Sequence, residues 1–389
     1  MFDAFSYSSL EDEYNQFADP VATIIVGETD IRGNKGGVAL SEVEVDLTSG
    51  FEAGQAAFSL YDCYDLINST FEYDKIKNFI ILGEKVKVSL GYSGTVREVF
   101  RGVIVRVEFV VEDTDAPHVR VTAMDIKGIM MANHYHKKLL SDSYSGAVKE
   151  IFMQDVYLGM TNPTGVISKL SISDTPDASP LSGGGETAKT IEMVGESDYE
   201  FVVKAAKKWN FEFFCVGGQV LFREARSDTT TLITLKNTTK LFSMNVTYDI
   251  TGLVQNVCVR GLDAGAAKVI EGNSRNSNKI SSKPNAKNLI SGSEYVYTDP
   301  TVDSKLDAMR RSWYLSDTMN YRFGNLDMEI MGLPEIIPGR FIDVDGYGTA
   351  VSNTFYVTGV KHHMDKSGRY ITRILGKAQS LQTDLSSLL

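Results

Sequence analysis

The 389-residue sequence predicts a mainly β protein with an α+β insertion: two antiparallel β modules related by internal duplication and separated by a small helix-and-hairpin unit. Three observations carry this. Apolar and polar residues alternate through Leu82–Tyr92, Phe100–Val107 and His118–Met124, the period of strands with one buried face. The same grammar returns in Pro338–Tyr347, Phe355–Val360 and Arg369–Leu375, where a Gly-Tyr closing the first strand, a Phe opening the second and a hydrophobic-Thr step in the third recur in order. Between the copies, Ser197-Asp198-Tyr199-Glu200 opens a helix that runs directly into Phe211–Cys215, a Gly217-Gly218 turn and Val220–Phe222.

In chain order, Met1–Asp19 is acidic and aromatic without a period and is ended by Pro20, so it is expected to be an arm that orders only against a partner. Strands are predicted at Ala22–Val26, Ser41–Leu47 and Ala56–Tyr61. With the first module they make about six short strands before Met131, a sandwich or barrel pattern, interrupted near Tyr61–Ile80 by a helix or long loop. Ser145 is expected to cap a helix through Ala147, Val148, Ile151 and Phe152. Asp174–Lys189, with two prolines and Gly183-Gly184-Gly185, reads as a flexible crossing segment. Ser197 and Glu200 form a capping box, and Val202, Ala205, Ala206 and Trp209 follow as a core stripe.

Strands resume at Leu232, with Gly252–Gly261 the clearest. Asp263–Lys287 is polar and reads as an exposed loop. Asp303 begins a helix with an apolar stripe of Leu306, Met309 and Trp313, and Tyr321–Ile330 alternates again. The expected division is an arm over 1–20, a first β domain over 21–133, a middle α+β domain over 134–235, and a second β domain over 236–389 carrying a loop insertion at about 263–290.

Net charge of −11 and a pI near 5.1 argue against a nucleic-acid binder, which needs a basic face to neutralise phosphates. Cys63, Cys215 and Cys258 are odd in number, far apart and set in apolar runs, so buried reduced thiols are expected rather than a disulfide framework or a zinc site. The N-terminus lacks a secretion signal, and no apolar run is long enough for a membrane-spanning segment.

His134-Tyr135-His136 places two imidazoles on one face of an extended segment, but no third ligand stands at a recognisable spacing, which favours surface or interdomain histidines. His362 and His363 alternate across a strand and cannot chelate together. Glu108, Glu112, Asp113 and Asp115 cluster around a turn, as a solvated acidic loop does. Cys215 has no near partner to activate it, no serine sits in a nucleophile-elbow pattern, and the triple glycine lacks the lysine of a phosphate-binding loop. No residue is assigned to catalysis, cofactor binding or metal binding, and no cofactor is expected.

The middle unit Glu196–Phe201 through Trp209–Phe214 with its Gly-Gly hairpin, and the C-terminal run Leu333-Pro334, Pro338-Gly339, Tyr356-Val357 and His362 before Tyr370 and Thr372, resemble the central hub proteins of phage tails and related injection machines. These are the baseplate hub of T4-like phage, the phage late control D family and the N-terminal part of VgrG. The likeness covers nearly the whole chain. It implies two tail-tube-like antiparallel β-barrels and a homotrimer with pseudo-six-fold symmetry that adapts a hexameric tail tube protein to a separate trimeric spike or tip protein, among other baseplate proteins. His362 falls on a habitual structural position of the family. VgrG continues into an OB-like domain and a spike, whereas this sequence stops at Leu389, so the spike is expected to be a separate protein or absent.

The expectation is therefore a structural, non-enzymatic protein, assembled in the bacterial cytoplasm and then part of a tail or baseplate. A tail-associated cell-wall-degrading enzyme is the alternative, for which no added catalytic segment is left over. A carbohydrate-binding module needs exposed aromatic clusters, whereas Trp209 and Trp313 are both read on apolar helical stripes.

Overall fold

The computed structural model describes residues 4–31, 37–162, 164–178, 191–263, 266–276, 288–302 and 304–381. Helix α1 (Tyr7–Glu13) precedes strands β1 (Pro20–Val26), β2 (Thr29–Asp30), β3 (Ala39–Thr48), β4 (Gln55–Tyr61), β5 (Tyr64–Asp65), β6 (Thr70–Phe71), β7 (Lys85–Tyr92), β8 (Thr95–Glu112) and β9 (Asp115–Met124). The predicted first module is thus a meander of β7, β8 and β9, and the segment after Tyr61 is a loop holding the small β5–β6 hairpin. In β4 and β9 alternate side chains are buried, the pattern that half-buried strands write into sequence.

The middle of the chain holds α2 (Ile126–Met130), β10 (Tyr135–Leu139), α3 (Tyr144–Phe152), α4 (Asp155–Leu158), β11 (Lys169–Ile172), β12 (Ile191–Glu196), α5 (Asp198–Trp209), β13 (Phe211–Val216) and β14 (Gln219–Glu224). Both halves of the capping box form: Ser197 Oγ accepts from the Glu200 amide at 3.2 Å, and the Glu200 carboxylate accepts from the Ser197 amide at 2.7 Å. Asn210 adopts a left-handed conformation (φ 56, ψ 43), which ends α5 and turns the chain straight into β13. Val202, Ala205, Ala206 and Trp209 are buried as expected, in a core of their own with Ile151, Phe152, Phe213 and Phe222. The cap of α3 is Ser143, which accepts from Gly146, while Ser145 is buried within the first turn. The triple glycine lies outside the described residues.

The second half holds β15 (Thr231–Lys236), β16 (Leu241–Tyr248), β17 (Asn256–Asp263), β18 (Lys268–Arg275), β19 (Glu294–Thr298), α6 (Lys305–Asn320), β20 (Gly324–Met331), β21 (Phe341–Asp345), β22 (Asn353–Met364) and β23 (Tyr370–Ala378). Three sequence readings change here. Residues 268–275, expected in an exposed loop, form β18, which pairs antiparallel with β17 over its whole length. Backbone hydrogen bonds hold this strand, so its polar composition hid it. Residues 277–287 of the same expected loop lie outside the described residues, as does Asp303, and Ser304 caps α6.

The third change concerns the face of α6. Ala308, Ser312, Ser316 and Met319 are buried, whereas Leu306, Met309 and Trp313 are 65%, 49% and 53% exposed. The apolar stripe faces outward because α6 lies on the glycine of a strand: a Cβ on Gly272 would meet the Ala308 backbone at 2.1 Å. Such close approach selects small residues on the helix face against it.

Two strand sets share one pairing order. In the first, β3–β4, β4–β9, β9–β8 and β8–β7 are all antiparallel. In the second, so are β16–β20, β20–β23, β23–β22 and β22–β21. β1 flanks β7 antiparallel where β15 flanks β21 parallel, the one departure. A bulge falls between Ile104 and Arg106 in the first set and between Val357 and Gly359 in the second. It aligns Gly102 with Phe355, two residues from the Phe100–Phe355 match suggested by sequence. An even slip keeps every side chain on its face, which is why the alternation concealed it.

β22 runs on past its own set to pair antiparallel with β3, from Gly359–Thr48 to Met364–Val43, and so joins both sets in one 13-stranded sheet. A single apolar core follows, shared by Ile24, Val45, Val88 and Val121 from one set and Leu232, Ile342, Val357 and Ile374 from the other. Each such side chain contributes roughly 1.5–3 kcal/mol on burial.

The N-terminal arm is also built into this core by the chain's own residues, contrary to the expectation of an arm held by a partner. Leu10, Tyr14 and Phe17 are buried, and the Phe5 amide donates to the Leu232 carbonyl at 2.7 Å. Its lack of sequence period has a physical origin, since Asn15, Gln16, Phe17 and Asp19 all have positive φ and no helix or strand repeat runs through them. Tyr14 and Arg97 meet the buried Glu335 carboxylate, tying the arm, β8 and the loop before β21 together. Tyr92 adds a hydrogen bond to the Gly332 carbonyl at 2.8 Å.

Candidate assembly surface

The residues singled out in the sequence are not gathered into one site. His134 is exposed and pairs with Glu200 at 3.2 Å, and His136 is exposed. Between them Tyr135 does what the sequence did not suggest: its hydroxyl donates to Asp198, which also accepts from Tyr157 at 2.7 Å and from Asn133 at 2.9 Å. Burial, then the Asp198 carboxylate, pushes the Tyr135 phenol up to about 12. This is a structural network that anchors the start of α5. Among the described residues no group of three or more candidate ligands is placed to hold a metal ion.

His362 and His363 do alternate across β22. His362 is fully buried against Tyr370 and Thr372, with Nδ1 3.0 and 3.1 Å from their hydroxyls, and burial lowers its pKa to about 4. His363 is half-buried on the opposite face, beside Glu44. The three cysteines are free and buried; burial raises the Cys215 thiol well above its usual range, so it is unreactive.

The acidic cluster does surround a turn, with the exposed Asp113 in the connection between β8 and β9, and it also continues into a groove. Glu44, Asp46, Glu108, Glu112 and Asp115 line an open groove of about 830 Å³ on the outer face of β3, β4, β9 and β8. Arg106 and Arg120 share it, and Lys361 pairs with Glu44 at 2.8 Å. Asp46 is raised by burial, whereas bonds from Lys366 and Tyr61 hold Asp115 down at about 2. Its carboxylates are therefore drawn into ion pairs or spread across several strands, and none forms a facing acid–base pair in an enclosed cleft.

What the surface does offer is sheet edge. Past Val103, β8 has β9 on one side and, among the described residues, no strand on the other; β16 has β20 alone. Apolar side chains stand along the open part of β8, where Phe109 is 48% and Val111 61% exposed. Unpaired amides and carbonyls beside exposed β-branched and aromatic residues form a template for another strand. Trp313 adds an exposed aromatic on α6, so the burial that disfavoured a sugar-binding aromatic platform holds only for Trp209.

No curated protein matches the chain. Among solved structures, the tail protein from Neisseria meningitidis MC58 aligns with a TM-score of 0.64 at 12% identity, over 92% of this chain and 97% of that one. The 43 kDa tail protein of prophage MuSo2 from Shewanella oneidensis gives 0.63 at 12% identity, over 92% and 98%. An E. coli component of the type VI secretion system, described as structurally similar to T4 bacteriophage tail proteins gp27 and gp5, gives 0.53 at 11% identity, over 91% and 76%. At such identities the likeness is one of fold, and it is the mainly β tail-protein fold that the sequence resemblance implied. Among the described residues no helix is long and apolar enough to cross a membrane. The Alg8 N-terminal domain family model matches residues 53–366, most of the chain, and the protein belongs to that family.

Proposed function

We propose that the protein is a structural hub of a phage tail or contractile injection particle. It acts as a homotrimer of pseudo-six-fold symmetry that adapts a hexameric tail tube to a separate trimeric spike or tip. The observation that carries this reading is the repeated pairing order of the two strand sets within one chain. Three chains with two like sets each offer six similar edges to a six-fold tube, while the middle unit and the β17–β18–β19 insertion, present once per chain, keep three-fold symmetry. The separate apolar core of the middle unit supports setting it apart from the two strand sets, with β15 counted in the second set rather than in a middle domain over 134–235. The sets over about 21–133 and 236–389 share one core and are repeats within one unit.

The role is mechanical rather than enzymatic, and the particle assembles in the bacterial cytoplasm. Native mass measurement of the purified chain is expected to give three times 42.9 kDa and to show complexes with tube and spike subunits. A monomer that ignores both overturns the reading, and peptidoglycan cleavage by the purified chain would replace it with the cell-wall-degrading alternative.

A further inference from the structure

Among the described residues the two strand sets pair at one seam, β22 against β3. The equivalent strands, β8 in the first set and β16 in the second, have no such partner among the described residues. We propose that the distal half of β8 pairs antiparallel with β16 of a second copy of this chain, repeating between chains the seam that β22 and β3 make within one. This rests on the trimeric reading above and gives it a contact and a register.

The register follows from equivalences already on the backbone. The shared bulge sets Arg106 on Gly359 and Val111 on Met364. The pairing of β3 with β4, compared with that of β16 with β20, sets Val43 on Met244 and Leu47 on Tyr248. Transferring the internal seam to these positions places Val107 opposite Tyr248, Phe109 opposite Val246 and Val111 opposite Met244. On the other face Arg106 comes opposite Asp249, a pair of opposite charge.

No side chain entered the derivation of that register, yet it brings apolar residues together on one face and, on the other, sets Arg106 opposite Asp249, Glu108 opposite Thr247 and Val110 opposite Asn245. A slip of one residue would set Phe109 against a polar neighbour of Val246, Asn245 or Thr247. It also accounts for Phe109 and Val111, large apolar residues standing exposed on an open strand in the free chain. Each chain gives one β8 edge and receives one at β16, so the contact is head-to-tail and closes only as a ring.

The test places cysteines at Val110 and Asn245, which the register sets directly opposite on the face that carries Arg106. Under mild oxidation V110C/N245C is expected to run as a covalent trimer on a denaturing gel. Each single variant, and R106C/N245C with its cysteines four residues out of register, should run as monomer. A trimer by native mass with no cross-link in the matched pair, or with equal cross-linking in the offset pair, overturns this seam and leaves the trimeric reading standing. A monomer by native mass for the unsubstituted chain overturns both. V111D, at an exposed edge position, is expected to keep its circular dichroism and to raise the trimer dissociation constant at least tenfold; an unchanged trimer also overturns the seam.

Discussion

His362 shows how much one residue's surroundings decide. Its place in an alternating strand was legible, but alternation alone does not say which of His362 and His363 turns inward; that is set by Tyr370 and Thr372 on β23. Burial favours the neutral ring and lowers its pKa from 6.5 to about 4. Between those pH values the unfolded chain binds a proton that the folded chain refuses, so this residue's contribution to stability is full above pH 6.5 and falls as the pH drops towards 4. The loss amounts to about 3 kcal/mol. His362→Gln is expected to remove that slope: urea denaturation at pH 7 and pH 4.5 should show a smaller difference in the variant, and an equal one would reject the assignment. Tyr14→Phe, which takes a donor from the buried Glu335, is expected to cost about 1–3 kcal/mol in the same assay.

Elements were most legible where local signals and packing agree. The capping box of α5 is one such place, and Ser197→Ala is expected to lower stability by about 1 kcal/mol in thermal or urea denaturation. On α6 the apolar stripe pointed to the wrong face: the helix packs Ala308 closely against Gly272 of β18 and turns Tyr314 into the core of the middle unit, contacts that its own sequence does not announce. The two tryptophans measure the difference. Trp209→Ala is expected to cost about 3–5 kcal/mol and Trp313→Ala less than about 0.5. Comparable losses would contradict the orientation of α6. Strand β18 shows the opposite limit, since hydrogen bonding to β17 holds a segment whose side chains announce no buried face.

For the whole molecule, the duplication was readable as a recurring order of turns and strands, whereas the seam that fuses the copies was not, because β22 and β3 lie some three hundred residues apart and each is an ordinary strand. One core shared by both sets implies that neither unfolds alone. Native-state hydrogen exchange is expected to protect β3 and β22 to the same degree; early exchange confined to either would contradict a common unit.

That seam has a further consequence. Among the described residues it is the one strand pairing that joins the sets, so in the trimer proposed above it sets the angle at which each chain offers its open edge to the next. A head-to-tail contact at a slightly altered angle does not return to its starting point, and it grows into a helical filament instead. Substitutions beneath the seam, such as Val45→Ala or Val360→Ala, are therefore expected to yield fibres under the electron microscope as well as less stable chains.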